Sequence, residues 1–297
     1  MAFYEEISAN RRMTFFLFVV FFFLIIALGF IASLIIGSYF ITPIFGVFAI
    51  IYILISYYNS DRIVTAISGA KPADEKRFKQ LHNIVDEMAI AAGIPKPRVY
   101  VIEDTAINAF ATGRDPAHSV VCVTTGAVQF LSREELTGVV GHELSHIRNQ
   151  DIKVMTIAAI LVGLAVLLSD FLLRYMLWGG RGESRDSKGG AIMIVLVVVG
   201  VLLAILTPII AQVINFAISR KREYLADASS AQLTRYPQGL ADALRKIAAD
   251  KEPLEAANKA TAHLYIANPL KGQKLWMQSL FSTHPPIETR IERLMKM

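Results

Sequence analysis

Two long uncharged hydrophobic segments stand near the start of the chain. Residues 13–37 and residues 40–58 contain no charged side chain. As helices, with a rise of 1.5 Å per residue, both are long enough to cross a hydrocarbon core of about 30 Å. A secretory signal peptide has an apolar region of roughly 7 to 15 residues and a small-residue cleavage site, so the first segment is predicted to be an uncleaved anchor. Together the segments predict a membrane hairpin that turns around Ser38.

The hydropathy falls after Asn59, where charged, apolar and turn residues begin to mix as they do in a folded aqueous domain. Apolar residues recur at helical spacing between Pro72 and Gly93, and a glycine in this position is a typical helix stop. This pattern predicts one amphipathic helix.

Short β-branched segments follow that helix. Residues 98–103 (RVYVIE) and 119–125 (SVVCVTT) are bounded by Pro and Gly, which predicts two strands of a small sheet. Residues 108–113 (NAFATG) lie between them and are predicted to form an edge strand. A plain hairpin connection is the alternative for this segment, because Asn and Gly are common turn residues.

A capping box predicts the start of the next helix. Ser132 and Glu135 are three residues apart, so each side chain can satisfy a free amide at the helix start. Apolar residues then line one face as far as Asp151, and a hydrophobic run follows from residue 154 almost without a break. A third span is therefore predicted to grow out of this helix.

The third and fourth spans are predicted over residues 154–177 and 191–211. Asp170 and Arg174 interrupt the third span, and their (i, i+4) spacing favours an ion pair near the interface over a role in an ion pathway. The chain then divides into two membrane hairpins, each followed by an aqueous catalytic part. These four parts are residues 1–60, 61–153, 154–212 and 213–297.

The composition agrees with a membrane protein, since 54% of the residues are hydrophobic and the mean hydropathy is positive. The net charge is only +5, and the basic residues form no stripe interleaved with aromatic residues, so nucleic acid is excluded as a predicted partner. Cys122 is the single cysteine, which excludes an internal disulfide and a thiolate metal site. These properties fit a catalytic part in the reducing cytosol, with the lipid bilayer as a partner.

The basic residues also predict the orientation of the chain, because Lys and Arg near the spans are enriched on the cytoplasmic side. The chain is predicted to lie in the plasma (inner) membrane with both termini and the active site in the cytoplasm. Arg174, Arg181, Arg185 and Lys188 on the opposite side weaken this bias. The residues that carry the bias are Arg11, Arg12, Arg62, Lys71, Lys76, Arg77, Arg148, Lys153, Arg220, Lys221 and Arg222.

A zinc-binding pattern stands at the end of the capped helix. The segment from His142 to His146 (HELSH) matches HEXXH. Residues four apart share a helix face, so both imidazoles can meet one Zn²⁺ at about 2.0 Å, and Glu143 then projects toward the open coordination position as a general base. The alternative is an amphipathic helix that happens to display these side chains, but such polar groups beside lipid are costly without a ligand.

A catalytic zinc usually takes three protein ligands, so a third is needed. Glu223 is the candidate, because an antiparallel hairpin of the third and fourth spans returns it to the level of His146. From the residues alone, Glu223 and Asp227 fit a solvated charged helix face equally well.

Beyond these patterns, the chain resembles the HtpX-type family of membrane zinc metalloproteases, relatives of the CAAX prenyl protease Ste24, over nearly its whole length. The resemblance implies an α-helical membrane protein with four transmembrane helices and a mainly helical α+β zincin-like catalytic domain with a small β-sheet. It also implies proteolysis of membrane proteins for quality control. The segments that carry it are HELSHIRNQD (142–151), REYLAD (222–227), NAFATG (108–113) and THPP (283–286).

The resemblance assigns roles to residues of this sequence. It implies that His142, His146 and Glu223 bind one zinc ion. It further implies that Asp227, and with it Asp151, supports the ligands, since a carboxylate can orient an imidazole by accepting its other N–H.

The expected reaction is hydrolysis of a peptide bond by a zinc-activated water, with Glu143 passing the proton to the leaving amine. His284 is a candidate donor to the oxyanion, and it fits a helix-entry residue before Pro285 equally well. An extended substrate is expected to add by main-chain hydrogen bonds, which would give broad specificity. The residues expected to receive it are Asn108, Ala109, Phe110 and Ala111.

The predicted function is therefore a zinc-dependent membrane endopeptidase whose substrates are membrane or misfolded proteins. A metal-binding transporter or sensor, with Asp170, Arg174 and the His pair as its pathway, is the alternative from another class. A non-catalytic membrane scaffold is the third hypothesis.

Overall fold

The computed structural model describes residues 2–161, 163–164, 220–255, 261–267, 269 and 285–297. The described part is mainly helical and contains one small mixed sheet. Most of the predicted third span and all of the predicted fourth span lie outside the described residues, as does His284.

Two helices near the N-terminus form a hairpin. Helix α1 (Ala2–Ile36) and helix α2 (Ile41–Tyr58) are joined by a turn in which Gly37 has a φ of 74°, a conformation that suits glycine. The helices pack closely at Gly29, where a Cβ would lie 2.6 Å from the Cβ of Phe45. Residues 7–34 and 41–58 are long and apolar enough to cross a membrane, which agrees with the two spans predicted here.

The sheet contains four strands in the order β1-β2-β4-β3. Strands β2 and β4 are parallel, whereas β1 and β3 pair antiparallel to their neighbours at the two edges. The predicted strands are confirmed, and residues 109–113 form the strand at one edge. The strands are β1 (Lys71–Pro72), β2 (Arg98–Ile102), β3 (Ala109–Gly113) and β4 (Ser119–Thr124).

Short helices surround the sheet. Helix α3 (Ser60–Ile67) follows the membrane hairpin, α4 (Lys79–Ala92) precedes β2, and α5 (Thr125–Phe130) follows β4. Helix α4 begins later than the sequence pattern indicated and ends at Gly93, which adopts a left-handed conformation with a φ of 66°.

Helix α6 (Arg133–Arg148) begins with the predicted capping box, in which both reciprocal hydrogen bonds between Ser132 and Glu135 form. The start of the third span, predicted to grow out of this helix, lies in a separate helix. A turn at residues 149–150, where Gln150 has a φ of 57°, separates α6 from the next helix, α7, which is described over residues 151–161. The interruption lets the side chain of Asp151 reach back to His146.

Three C-terminal helices follow, of which the first two pack on α6 and the third packs on those two. They are α8 (Arg220–Thr234), α9 (Pro237–Ala249) and α10 (Ile287–Leu294). Helix α9 approaches so closely that a Cβ on Gly138 of α6 would lie 2.6 Å from the backbone nitrogen of Leu240. Helix α6 is thereby enclosed by packed helices along most of its length.

The two faces of the sheet belong to different cores, as the alternation of side chains along a strand requires. Val121 and Val123 of β4 join a cluster with α4, α6 and α9. Val120 and Cys122 join a second cluster that contains residues of α1 and α7. The sheet therefore lies between the HEXXH helix and the N-terminal membrane hairpin.

Candidate metal centre and active site

The two histidines of HEXXH lie one turn apart on α6, and both are buried. Their Nε2 atoms are 3.2 Å apart. Each ring turns its other nitrogen toward a carboxylate: His142 Nδ1 is 3.0 Å from Asp227 Oδ1, and His146 Nδ1 is 3.0 Å from Asp151 Oδ2. Ionised carboxylates only accept hydrogen bonds, so the Nδ1 atoms donate and the Nε2 atoms face each other as candidate ligands.

Glu223 of α8 completes a group of three ligand atoms. Its Oε2 lies 3.8 Å from His142 Nε2, and its Oε1 lies 3.5 Å from His146 Nε2. Tetrahedral zinc with bonds of about 2.0–2.1 Å places neighbouring ligand atoms about 3.3 Å apart. The separations in this site are close to that value, and all three residues are buried, so the donor set fits one divalent ion.

Glu223 reaches the histidines because α8 lies unusually close to α6. The Oγ of Ser230 donates a hydrogen bond of 2.7 Å to the carbonyl oxygen of Gly138. Gly141 faces the same serine, and a Cβ at this position would lie 2.9 Å from its Oγ. Small residues at the crossing of these helices therefore bring together two segments that are far apart in sequence.

Glu143 lies beside the three ligands and is 2% exposed. Burial raises the pKa of its carboxyl to about 7, and the charge of Glu223 acts in the same direction against the opposing effect of His146. The carboxylate also accepts a hydrogen bond from the backbone N–H of Ala111 in β3. A carboxyl poised near neutral pH and held by a fixed donor is suited to accept and return a proton.

A buried arginine also borders the site. Arg290 of α10 is 1% exposed and makes a bidentate pair with Asp227, with Nε–Oδ2 and Nη2–Oδ1 distances of 2.9 and 2.7 Å. Its Nη1 donates a 2.9 Å hydrogen bond to the carbonyl oxygen of Ile266 and lies 3.7 Å from Glu223 Oε2. Arg290 thus compensates the negative charge of two buried carboxylates.

Sequence reasoning missed Arg290. Its segment contains several charged residues, and only the helical spacing to its apolar neighbours distinguishes Arg290 from them. The available signal was its position on the apolar face of a short amphipathic helix, three residues after Ile287 and four before Leu294. A charged residue on a buried face needs a partner, which here is Asp227.

The protein's own charges shift the pKa values around the site in different directions. Burial lowers the pKa of His142 to about 4, and the charge of Arg290 adds to that effect. Burial also lowers the pKa of His146, but Asp151, Glu223 and Glu143 outweigh it and raise the pKa to about 9. Burial raises the pKa of Asp227, but Arg290 and His142 outweigh it and hold the pKa at about 2.

The residues expected to receive an extended substrate are buried and occupy different environments. The Nδ2 of Asn108 donates to the carbonyl oxygen of Ala267, and the carbonyl oxygen of Ala109 accepts a 2.9 Å hydrogen bond from the N–H of Ile266. Phe110 packs edge-on against the ring of Tyr265. Ala111 is the residue of this group whose backbone N–H reaches Glu143.

The chain matches the model of Peptidase family M48 over residues 75–297. It is 48% identical to "Protease HtpX homolog" of Caldanaerobacter subterraneus subsp. tengcongensis over 296 residues, covering 98% of this chain and 96% of the relative. It is 42% identical to "Protease HtpX homolog" of Streptococcus gordonii over 304 residues, covering 99% of both chains. The crystal structure of S. mikatae Ste24p is similar with a TM-score of 0.49 and 22% identity, covering 82% of this chain and 56% of that one.

The family match covers the helices that form the candidate site: α6 with its HEXXH segment, α8 with Glu223 and α10 with Arg290. The chain belongs to Peptidase family M48 and is a metalloprotease with two helices that can span a membrane.

Proposed function

We propose that this chain is a zinc-dependent integral-membrane endopeptidase in which His142, His146 and Glu223 hold one zinc ion. The observation that supports this is the separation of their ligand atoms, 3.2 to 3.8 Å, inside a buried site. When bound, zinc supplies a Lewis acid that lowers the pKa of a water and polarises the substrate carbonyl.

Glu143 is the general base. Its carboxylate removes a proton from the attacking water and delivers it to the leaving amine, and its raised pKa suits both transfers. The Ala111 N–H holds the carboxylate beside the ligands. His284, which lies outside the described residues, is the proposed donor to the substrate carbonyl oxygen, with a helix-entry role before Pro285 as the alternative.

Asp227 and Asp151 keep the imidazoles in the orientation that metal binding requires. Each accepts the Nδ1 proton of one ligand histidine at 3.0 Å, which fixes the tautomer that leaves Nε2 free for the metal. The pair of Asp227 with Arg290 holds the first of these carboxylates in place.

The proposed substrates are membrane or misfolded proteins that reach the site at the cytoplasmic face. The N-terminal hairpin supports this, because its first helix shares a core cluster with the sheet that borders the site. We further propose four spans, with residues 61–153 and 213–297 and both termini in the cytoplasm. Near Ala111, the edge strand β3 is the proposed contact for an extended peptide.

The decisive experiment compares Glu143→Gln with the wild-type chain in detergent, using a model membrane protein as substrate. The variant should retain one equivalent of zinc and lose cleavage, because the amide cannot accept the proton. Glu134→Gln is the matched control, since Glu134 is an exposed residue of the same helix and should leave cleavage unchanged. Undiminished cleavage by Glu143→Gln would refute the mechanism, and zinc transport into vesicles by this variant would favour the transporter.

A further inference from the structure

Asn10 joins the first membrane helix to the metal centre. It lies near the start of α1, and its side chain is 1% exposed. Its Nδ2 donates to Asp151 Oδ1 at 2.8 Å and to the carbonyl oxygen of Asn149 at 3.2 Å. Both partners are acceptors, so the amide has to present its NH₂ group to them, and its orientation follows from the chemistry.

The two oxygens of the Asp151 carboxylate accept hydrogen bonds from different partners, one on the membrane helix and one on the proposed metal ligand. Oδ2 accepts the Nδ1 proton of His146 at 3.0 Å, while Oδ1 accepts the Asn10 amide. The Nε of Arg222 lies 3.8 Å from the same Oδ1. The direction in which Asp151 holds His146 therefore depends on what occupies its second oxygen.

The two hydrogen bonds of Asn10 lie on either side of an unusual backbone turn. Gln150 adopts a left-handed conformation with a φ of 57°, which is unfavourable for a residue with a side chain. Asn10 bonds to the residue before it, Asn149, and to the residue after it, Asp151. One side chain from α1 thus spans the strained turn that presents Asp151 to His146.

We propose that Asn10 is a positioning residue for the metal ligand His146 and acts through Asp151. This inference rests on the proposed metal centre and extends it, because it makes a membrane helix part of the outer coordination environment. Outer partners of metal ligands typically change metal affinity by about 10- to 100-fold when they are removed. The competing explanation is that Asn10 only satisfies the packing of α1 and leaves the metal ligands unaffected.

The test measures the zinc dissociation constant of the full-length chain in detergent by competition with a chromophoric chelator. Asn10→Leu keeps the branched shape of the side chain and removes both donor hydrogens. It should weaken zinc binding about 10-fold or more. The absorption spectrum of the cobalt-substituted protein should also change, because that spectrum reports ligand geometry and a purely structural role would leave it unaltered.

The matched control is Thr14→Val, one turn further along α1. Thr14 is 4% exposed, and its hydroxyl donates to the carbonyl oxygen of Asn10 without contacting Asp151. This variant should bind zinc like the wild type. If leucine disturbs folding, Asn10→Ser and Asn10→Ala give the same comparison. The serine hydroxyl keeps a donor, so the Asn10→Ser variant should bind zinc more tightly than the Asn10→Ala variant.

A double-mutant cycle with Asp151→Ala identifies the route of the effect. In that background the connection is already broken, so Asn10→Leu should change the zinc dissociation constant less than about twofold. An equal loss in both backgrounds, or unchanged zinc affinity in all the Asn10 variants, would overturn the proposal. A wild-type chain that binds no zinc would instead refute the metal centre itself, which keeps the two failures apart.

Discussion

Arg290 and Asp227 form a buried bidentate ion pair beside the proposed metal ligands, with nitrogen–oxygen distances of 2.7 and 2.9 Å. The pair connects the last helix of the chain to His142, whose Nδ1 lies 3.0 Å from Asp227. Removal of one partner would leave the other as an unpaired buried charge. A buried charge without its partner is far more costly than the intact pair is stabilising.

Replacement of Arg290 by Leu should therefore lower the free energy of unfolding by about 3–5 kcal/mol, since it strands the carboxylate of Asp227. Chemical denaturation of the detergent-solubilised chain measures this effect. The double variant Arg290→Leu with Asp227→Asn should recover part of the loss. Arg293→Leu on the same helix removes an exposed arginine that stacks on Tyr224 and should cost at most about 1 kcal/mol. Similar losses from both arginines would contradict this account.

Gly138 and Gly141 face different neighbours, so alanine should have unequal effects at the two positions. At Gly138 the new methyl group would lie 2.6 Å from the backbone of Leu240, which cannot move without displacing α9. At Gly141 it would meet the Ser230 side chain at 2.9 Å, which can rotate. We expect Gly138→Ala to destabilise the chain by about 1–3 kcal/mol and Gly141→Ala by less. Thermal unfolding of the two variants ranks them, and the reverse order would be evidence against this packing.

The raised pKa of Glu143 predicts a pH dependence of stability in the chelator-treated protein. Its pKa is about 7 in the folded chain and 4.5 for the free group, so between these values the folded chain binds the extra proton. The contribution of Glu143 to the free energy of unfolding therefore falls as the pH rises through this window. Glu143→Gln lacks this proton, and its melting temperature should exceed that of the wild type by an amount that grows up to about pH 7.

Glu134→Gln is the control for this pH series. Hydrogen bonding at the helix start lowers the pKa of Glu134, with the backbone contact as the largest cause, so its charged form is the favoured one. The glutamine should therefore not gain stability over the wild type as the pH rises. A parallel rise for the two variants would show that the effect does not come from burial of Glu143.

Replacement of Ala111 by Pro tests the donor to Glu143. Proline removes the backbone N–H, and an edge strand tolerates it where that N–H points away from the sheet. Loss of a hydrogen bond to a charged group costs about 1.5–3 kcal/mol, so kcat/KM should fall roughly 10- to 100-fold while zinc content stays unchanged. Steady-state kinetics and metal analysis on the same preparation decide this, and a loss of zinc with activity would assign Ala111 a structural role instead.

Local features of the sequence predicted much of the fold because they act over a few residues. The capping box of Ser132 and Glu135, the helix stop at Gly93 and the β-branched strands all depend on near neighbours. The turn at residues 149–150 was not predictable in this way. Gln150 adopts a conformation usually taken by glycine or asparagine, and the residue after it, Asp151, bonds to Asn10, which lies 141 residues away in the chain.

The candidate site, too, could be predicted from the sequence only where its features are local. His142, Glu143 and His146 follow from spacing on one helix, but the choice of Glu223 required the family resemblance. Its approach depends on contacts between α6 and α8 such as Ser230 with Gly138, which no local pattern encodes. Arg290 was missed for the corresponding reason, since its partner Asp227 lies on another helix.

The packing of the sheet also affects whether a truncated, soluble form of this enzyme can be made. Val120 and Cys122 face the cluster that α1 helps to form, while Val121 on the same strand faces the HEXXH helix. A truncated chain without residues 1–60 would remove the members of that cluster that α1 and α2 supply, and the apolar residues left behind would invite aggregation. A soluble form of the protease would thus require polar replacements among the remaining members of that cluster as well as removal of the membrane anchor.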